Sequence, residues 1–278
     1  MATLKESSVA GTGALKLPLR NIWNRPTGTP GAIHYNTTLG MPEFWTGSVW
    51  ATMPDIVRRN LYSLYDMANP SCFPSYGETV TDVISGFNMS IFGTTRYNRD
   101  VPCMNFLNNT ENYMVRESYP FPTTDVSVSV WFRPTFASST ACTPVTYSVG
   151  GGNDFLIYCA SNTTIGFYTI GSGEHTLITV PSMEGRWVNI TRTRTYSTGL
   201  ETMYHNGIAF ASKNVLPSNA ITTNGRLIIG QESDTAIGGF DANQNLDGDW
   251  AFLAIYNRAL TPIEVRQNFN ATRRRFGV

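Results

Sequence analysis

Charge is scarce in this chain. Lys, Arg, Asp and Glu account for 14% of 278 residues, 20 of each sign, so no net field steers the protein toward nucleic acid or an anionic membrane. Histidine is scarcer still, at three residues, and the four cysteines (Cys72, Cys103, Cys142, Cys159) lack any C-x-x-C spacing, which excludes the common zinc patterns. No apolar run approaches the ~20 residues of a membrane helix, so no membrane insertion is expected. Residues 1–13 have neither a basic start nor an apolar stretch, and no secretory signal is read there. On that expectation the cysteines are buried free thiols, although Cys142 and Cys159 flank a predicted hairpin and stand where they can meet across it. Asn-x-Ser/Thr triplets occur at Asn36, Asn88, Asn108, Asn162, Asn189 and Asn270, as the composition of an Asn- and Thr-rich chain produces them.

Catalytic signatures are missing as well. Gly150-Gly151-Gly152 precedes a strand rather than a helix, so it is no phosphate loop. His34, His175 and His205 are scattered, with no defensible Ser-His-Asp or Cys-His order. A glycosidase of sandwich type needs carboxylates at alternate positions on one strand. Asp247 and Asp249 alternate, but Ala251, Leu253 and Ile255 follow without another acid, and the pair reads as a solvated strand entry.

What the chain does contain is alternation. Residues 126–132 alternate Val and Ser before Trp131-Phe132, which predicts one buried face and one wet face. Further strands are predicted at 143–149, 153–160, 164–170, 174–180, 186–196, 200–206, 226–230 and 246–257. Hairpin turns fall at Gly150-Gly151-Gly152-Asn153-Asp154 and at His205-Asn206-Gly207. One helix is expected over 261–269, with Thr261 as cap, Pro262 in the first turn and Glu264 three residues after the cap. Arg273-Arg274-Arg275 reads as a solvated tail, with docking to an acidic partner as the alternative.

Three segments follow. Residues 1–20 are small, polar and aperiodic, and read as a flexible arm. Residues 21–52 read as a tiny meander carrying Trp23, Trp45 and Trp50, too small to bury those rings by itself. Residues 53–278 carry the strand train.

The closing run Gly238–Phe269, a polar loop leading into an alternating strand that ends at Tyr256-Asn257-Arg258 and then a capped helix, resembles the end of laminin-G-like domains. These are members of the concanavalin A-like lectin/glucanase superfamily. Asn69-Pro70-Ser71, Arg186-Trp187-Val188 and Tyr204-His205-Asn206-Gly207 match the same family in order, so the resemblance covers roughly residues 55–275. It implies an all-β fold, a concanavalin A-like antiparallel β-sandwich (jelly roll), that recognises surfaces or glycans more often than it does chemistry. Residues 26–50, with Gly31-Ala32-Ile33-His34-Tyr35-Asn36-Thr37 and Gly47-Ser48-Val49-Trp50, resemble a short module of bacteriophage tail and fibre proteins.

Together these resemblances imply a phage virion surface protein, made in the host cytoplasm. Its partners would be capsid or tail proteins, it would form a homo-oligomer, a trimer by analogy with fibres, and it would bear a non-catalytic lectin-like sandwich open to glycans. Trp23, Tyr35, Phe44, Trp45 and Trp50 are the attachment candidates. A free or cell-surface lectin is the alternative, and a glycan-cleaving enzyme ranks below both. No cofactor is required. Asp241, Asn243, Asn245 and Asp247 alternate oxygen ligands before Gly248 and are the calcium candidates, set against a plain Asn/Asp-rich turn. An EF-hand starting at Asn243 fails, because Ala254 stands where the bidentate Glu belongs. Sugar-stacking candidates are Phe73, Tyr76, Tyr97, Tyr119, Phe121, Tyr196 and Phe240.

Overall fold

The computed structural model describes residues 17–278 apart from 22, 26, 30, 38–40, 49, 53–54, 108–111, 137–140, 170–173, 234–238 and 242. The chain divides into two compact units, Met1–Asp55 and Ile56–Val278.

The first unit is a small sheet of β1 (Leu19–Arg20), β2 (Ile33–Asn36), β3 (Met41–Trp45) and β4 (Trp50–Thr52), in that order. Pairing of β1 with β2 is parallel, so Leu19 and Arg20 already belong to the sheet and not to a flexible arm. Residues 1–16 of that arm lie outside the described residues. The core of this unit is largely polar. Buried Glu43 receives Arg25 through both oxygens, at 3.0 and 2.7 Å, and Asn36 Nδ2 at 2.8 Å. Buried His34 stands with Nε2 at 3.1 Å from Glu43 Oε2, off the hydrogen-bond line. Burial pushes the Glu43 carboxyl up, but the hydrogen bonds from Arg25 and Asn36 and the charges of Arg25 and His34 outweigh it, leaving it below its ordinary value.

Two of the three tryptophans find cover inside the unit. Trp50 meets His34 edge-on at 4.2 Å and Trp45 at 5.6 Å. Trp45 also lies over Gly28, where a Cβ would stand 1.9 Å from the ring, so only glycine fits. Trp23 is 88% exposed, while Tyr35 and Phe44 are half-buried.

The second unit is a two-sheet sandwich whose described pairings are antiparallel. Its strands begin with β5 (Leu61–Asp66), β6 (Thr79–Val80), β7 (Met89–Phe92), β8 (Arg96–Asn98), β9 (Cys103–Phe106), β10 (Tyr113–Tyr119) and β11 (Val126–Pro134). They continue with β12 (Cys142–Val149), β13 (Gly152–Ser161), β14 (Thr164–Thr169), β15 (Glu174–Thr179) and β16 (Val188–Thr195). The last are β17 (Leu200–His205), β18 (Ile208–Asn214), β19 (Gly225–Ile229) and β20 (Gly248–Tyr256). One eight-stranded sheet has the order β15-β14-β13-β12-β19-β10-β7-β6. The other has the order β18-β17-β16-β11-β20-β9-β8, with β5 also on β20. Their inner faces share one core that includes Val126, Val128, Val130, Ile157, Leu227, Ile229, Trp250, Leu253 and Ile255.

The face expected to be wet is covered. Ser127 and Ser129 of β11 are buried beneath α1 (Pro262–Thr272) and the 3-10 turn Arg273–Phe276. Ser127 Oγ donates to the Arg258 carbonyl and accepts from Leu260 N, both at 2.8 Å, while Ser129 Oγ accepts from Thr191 at 2.9 Å and Asn189 at 3.1 Å. A second apolar layer forms there, with Trp131 stacked on Phe269 and Phe276 at 5.7 and 4.3 Å. In the basic C-terminal stretch Arg273 and Arg274 are exposed, whereas Arg275 pairs with Asp66 at 2.7 Å and lies over the Phe276 ring.

Candidate functional site

Leu227 and Ile229 point into the shared core, so Ile228 and its register partners Val115 and Thr146 face outward on the first sheet. The same alternation puts Tyr113 and its partner Phe92 on that outer face, with Met114 and Ile91 turned inward. Tyr158 and Tyr168 lie on it too, since Ile157 and Cys159 are core residues.

The segment after β19 bends back over this face. Gly230 has φ +90°, and a Cβ there would stand 2.9 Å from the Phe106 ring, so the reversal requires glycine. Thr146 Oγ1 donates to the Gln231 carbonyl at 2.9 Å, and Asn153 Nδ2 donates to Glu232 Oε1 at 2.5 Å. Gln231 Nε2 donates to the Asn112 carbonyl at 3.3 Å, tying the segment to the start of β10. Further on, Phe240 meets the Tyr113 ring edge-on at 4.8 Å, and Tyr113 stacks on Phe92 at 4.8 Å with 10° between planes. Phe92 is 43% exposed. The outer face thus carries a ring trio on one side, the Tyr158–Tyr168 pair on the other, and an amide- and carboxylate-rich loop beside them.

The calcium candidates have separate roles in this loop. Asp241 Oδ1 accepts from Asn243 N at 2.9 Å and Oδ2 from Gln244 Nε2 at 3.4 Å, closing an Asx turn. Asn243 is exposed, and its carbonyl accepts from Ala141 N at 3.2 Å. Asn245 is fully buried and neither side-chain polar atom has a hydrogen-bond partner. Asp247 is half-buried, and burial raises its carboxyl against the opposing Thr135 hydrogen bond. Among the described residues no three His, Cys, Asp or Glu side chains converge as a metal site. Within the series Asp241 thus closes a turn, Asn243 is exposed and Asn245 is buried. Asp249 is also not solvated: it is buried and bound by Arg133, with Nε at 2.7 Å, and by Asn105 Nδ2 at 3.0 Å.

Of the proposed sugar-stacking rings, Phe73, Tyr119 and Phe121 are core, Tyr76 is 75% exposed away from the trio's contacts, and Phe240 alone joins the outer-face cluster. Sequence reasoning missed Phe92, Tyr113, Tyr158 and Tyr168, and the oxygen donors Asn153 and Glu232. The signal for the rings was available: each alternates with a core residue on its own strand.

Residues 108–266, more than half of the chain, match the family described as Concanavalin A-like lectin/glucanases superfamily. Human neuronal pentraxin-1 is 41% identical over 83 residues, which are 30% of this chain and 19% of that protein. Neuronal pentraxin-2 of Cavia porcellus is 30% identical over 148 residues, 52% of this chain and 34% of that protein. The chain therefore spans about a fifth to a third of the length of these curated relatives. The fold also resembles the botulinum neurotoxin serotype D ligand-binding domain in complex with N-acetylneuraminic acid, with TM-score 0.56 and 12% identity over 76% of this chain and 50% of that one. The relatives are mammalian pentraxins and point to an extracellular setting, which overturns the expectation of a virion protein made in a host cytoplasm. The two-sheet topology, the covering C-terminal helix and the matched span lead to one assignment: the chain belongs to the concanavalin A-like lectin/glucanases superfamily.

Proposed function

We propose that this protein is a non-catalytic, glycan-binding lectin module that takes its ligand on the outer face of the sheet that carries Phe92, Tyr113, Tyr158 and Tyr168. The observation that carries this reading is the Phe92–Tyr113–Phe240 ring cluster beside the loop bearing Asp241 and Gln244. Sugar rings present C–H groups on one face and hydroxyls at the rim. Aromatic faces suit the former, and amides and carboxylates the latter. Its neurotoxin neighbour holds N-acetylneuraminic acid on the same general fold, which makes sialylated glycans a natural first probe. Asp249, held by Arg133 and Asn105, is not free to act with Asp247 as an acid–base pair, in keeping with binding without cleavage. The first unit serves as an attachment and self-association module.

A glycan array of sialylated and neutral oligosaccharides, run with calcium and with chelator, tests this. Retention of at least one glycan class is expected, and Tyr113→Ala or Phe240→Ala should weaken it about tenfold, consistent with ~0.5–1.5 kcal/mol per aromatic contact plus lost burial. A folded protein that retains no glycan, or that releases reducing sugar, would sink the reading.

A further inference from the structure

Cys142 opens β12 and Cys159 sits near the end of β13, and the two are direct register partners across the antiparallel pair. Both side chains belong to the core between the sheets. Directly opposed residues in an antiparallel pair have Cα atoms about 4.5 or 5.5 Å apart, and either value lies within the roughly 4.4–6.8 Å that a disulfide spans. The other two cysteines are placed differently. Cys72 Sγ accepts from Asp66 N at 3.2 Å, and Cys103 lies on the second sheet beside Asp249. Among the four, only Cys142 and Cys159 are strand partners.

We propose that Cys142 and Cys159 are a disulfide-forming site, closed as a cross-strand cystine by a small-molecule disulfide such as glutathione disulfide. One protein thiolate attacks glutathione disulfide, forming a mixed disulfide and expelling one glutathione thiolate. The second protein thiolate displaces the other glutathione. Two protein thiols lose two protons and two electrons, and glutathione disulfide is reduced to two glutathione thiols. Exchange needs a thiolate with access to oxidant, and burial holds the Cys142 thiol well above its ordinary range. The bond therefore forms while the hairpin is open, during folding or on partial unfolding, and is shielded once the sheets close. Its position is at the base of the outer-face loop, because Ala141 N, one residue before Cys142, donates to the Asn243 carbonyl.

Full-length protein recovered from an oxidising periplasm is denatured in iodoacetamide, alongside protein purified reduced and then held with glutathione disulfide in sub-denaturing urea. Intact mass and peptide mapping should find Cys72 and Cys103 alkylated and Cys142 linked to Cys159. The linked protein should unfold at higher urea than its reduced form. A Cys72→Ser/Cys103→Ser variant should keep the link. Four alkylated cysteines in both samples, with native near-ultraviolet circular dichroism, would overturn the proposal, as would a link to Cys72 or Cys103.

Discussion

A single carboxylate, Glu201, sits between two buried guanidinium groups in the space between the sheets. Its Oε2 accepts from Arg192 Nη2 at 2.6 Å and its Oε1 from Thr169 Oγ1 at 2.6 Å, with Arg194 Nε at 3.8 Å. Arg192 reaches across the sandwich, donating from Nη1 to the carbonyls of Leu156 and Tyr168 at 2.9 and 2.8 Å, with its guanidinium 4.0 Å from the Phe155 ring centroid. Arg194 Nη2 donates to the carbonyls of Leu216 and Asn219. Burial lowers both arginines, and Glu201 opposes that by favouring their charged forms. Removing one member of a buried ion pair leaves an uncompensated charge, which costs more than the intact pair contributes. Glu201→Gln should therefore lower unfolding free energy by about 3–5 kcal/mol in urea titration. A loss under ~1 kcal/mol would mean that water or another anion already reaches the arginines.

At the level of elements, the C-terminal helix is where sequence and structure agree most closely, and it yields a pH prediction. Thr261 Oγ1 accepts from Glu264 N at 3.3 Å, and Glu264 Oε2 accepts from Thr261 N at 2.9 Å. Arg258 grips both carboxylate oxygens at 2.7 Å, and its hydrogen bonds, partly offset by burial and joined by the Thr261 contacts, bring Glu264 down to about 2. A carboxyl depressed in the folded state stabilises it above the unfolded value near 4.5, and that stability is lost as pH falls toward 2. Between those pH values the urea midpoint of the native protein should fall more steeply than that of Glu264→Gln. At neutral pH, Thr261→Ala should cost about 1 kcal/mol. Parallel acid curves for the two proteins would refute the assignment.

The helix was legible because its signals are local: cap, proline and acid lie within four residues of each other. The strand train was legible from alternation, but β6, β7, β8 and β18 were not read; β18 was missed although the Asn206-Gly207 turn before it was read, because Ile208-Ala209-Phe210-Ala211-Ser212 blurs the two faces. Alternation also could not say what covers each face, so the serines of β11 were assigned to water when they lie under the helix.

For the whole molecule, the family was legible and the setting was not, since motif order reports the sandwich and says nothing of where it works. The outer-face site was hidden for a similar reason: its rings come from β7, β10, β13, β14 and Phe240, which are far apart in sequence and meet through sheet order. Sequence also treated the three tryptophans of the first unit alike. Trp45 and Trp50 pack on Gly28, His34 and each other, whereas Trp23 remains in solvent. An exposed indole of this size invites cover, and closed rotational symmetry supplies it with identical copies. The proposed self-association therefore rests on Trp23, with Trp45 and Trp50 maintaining the unit's fold. In native mass spectrometry at micromolar concentration, Trp23→Ser should shift the protein from oligomer toward monomer while leaving its circular dichroism unchanged. Trp45→Ser should disturb the spectrum of the first unit itself. If wild-type protein is already monomeric, or if Trp23→Ser assembles as wild type does, the first unit joins a different partner or none.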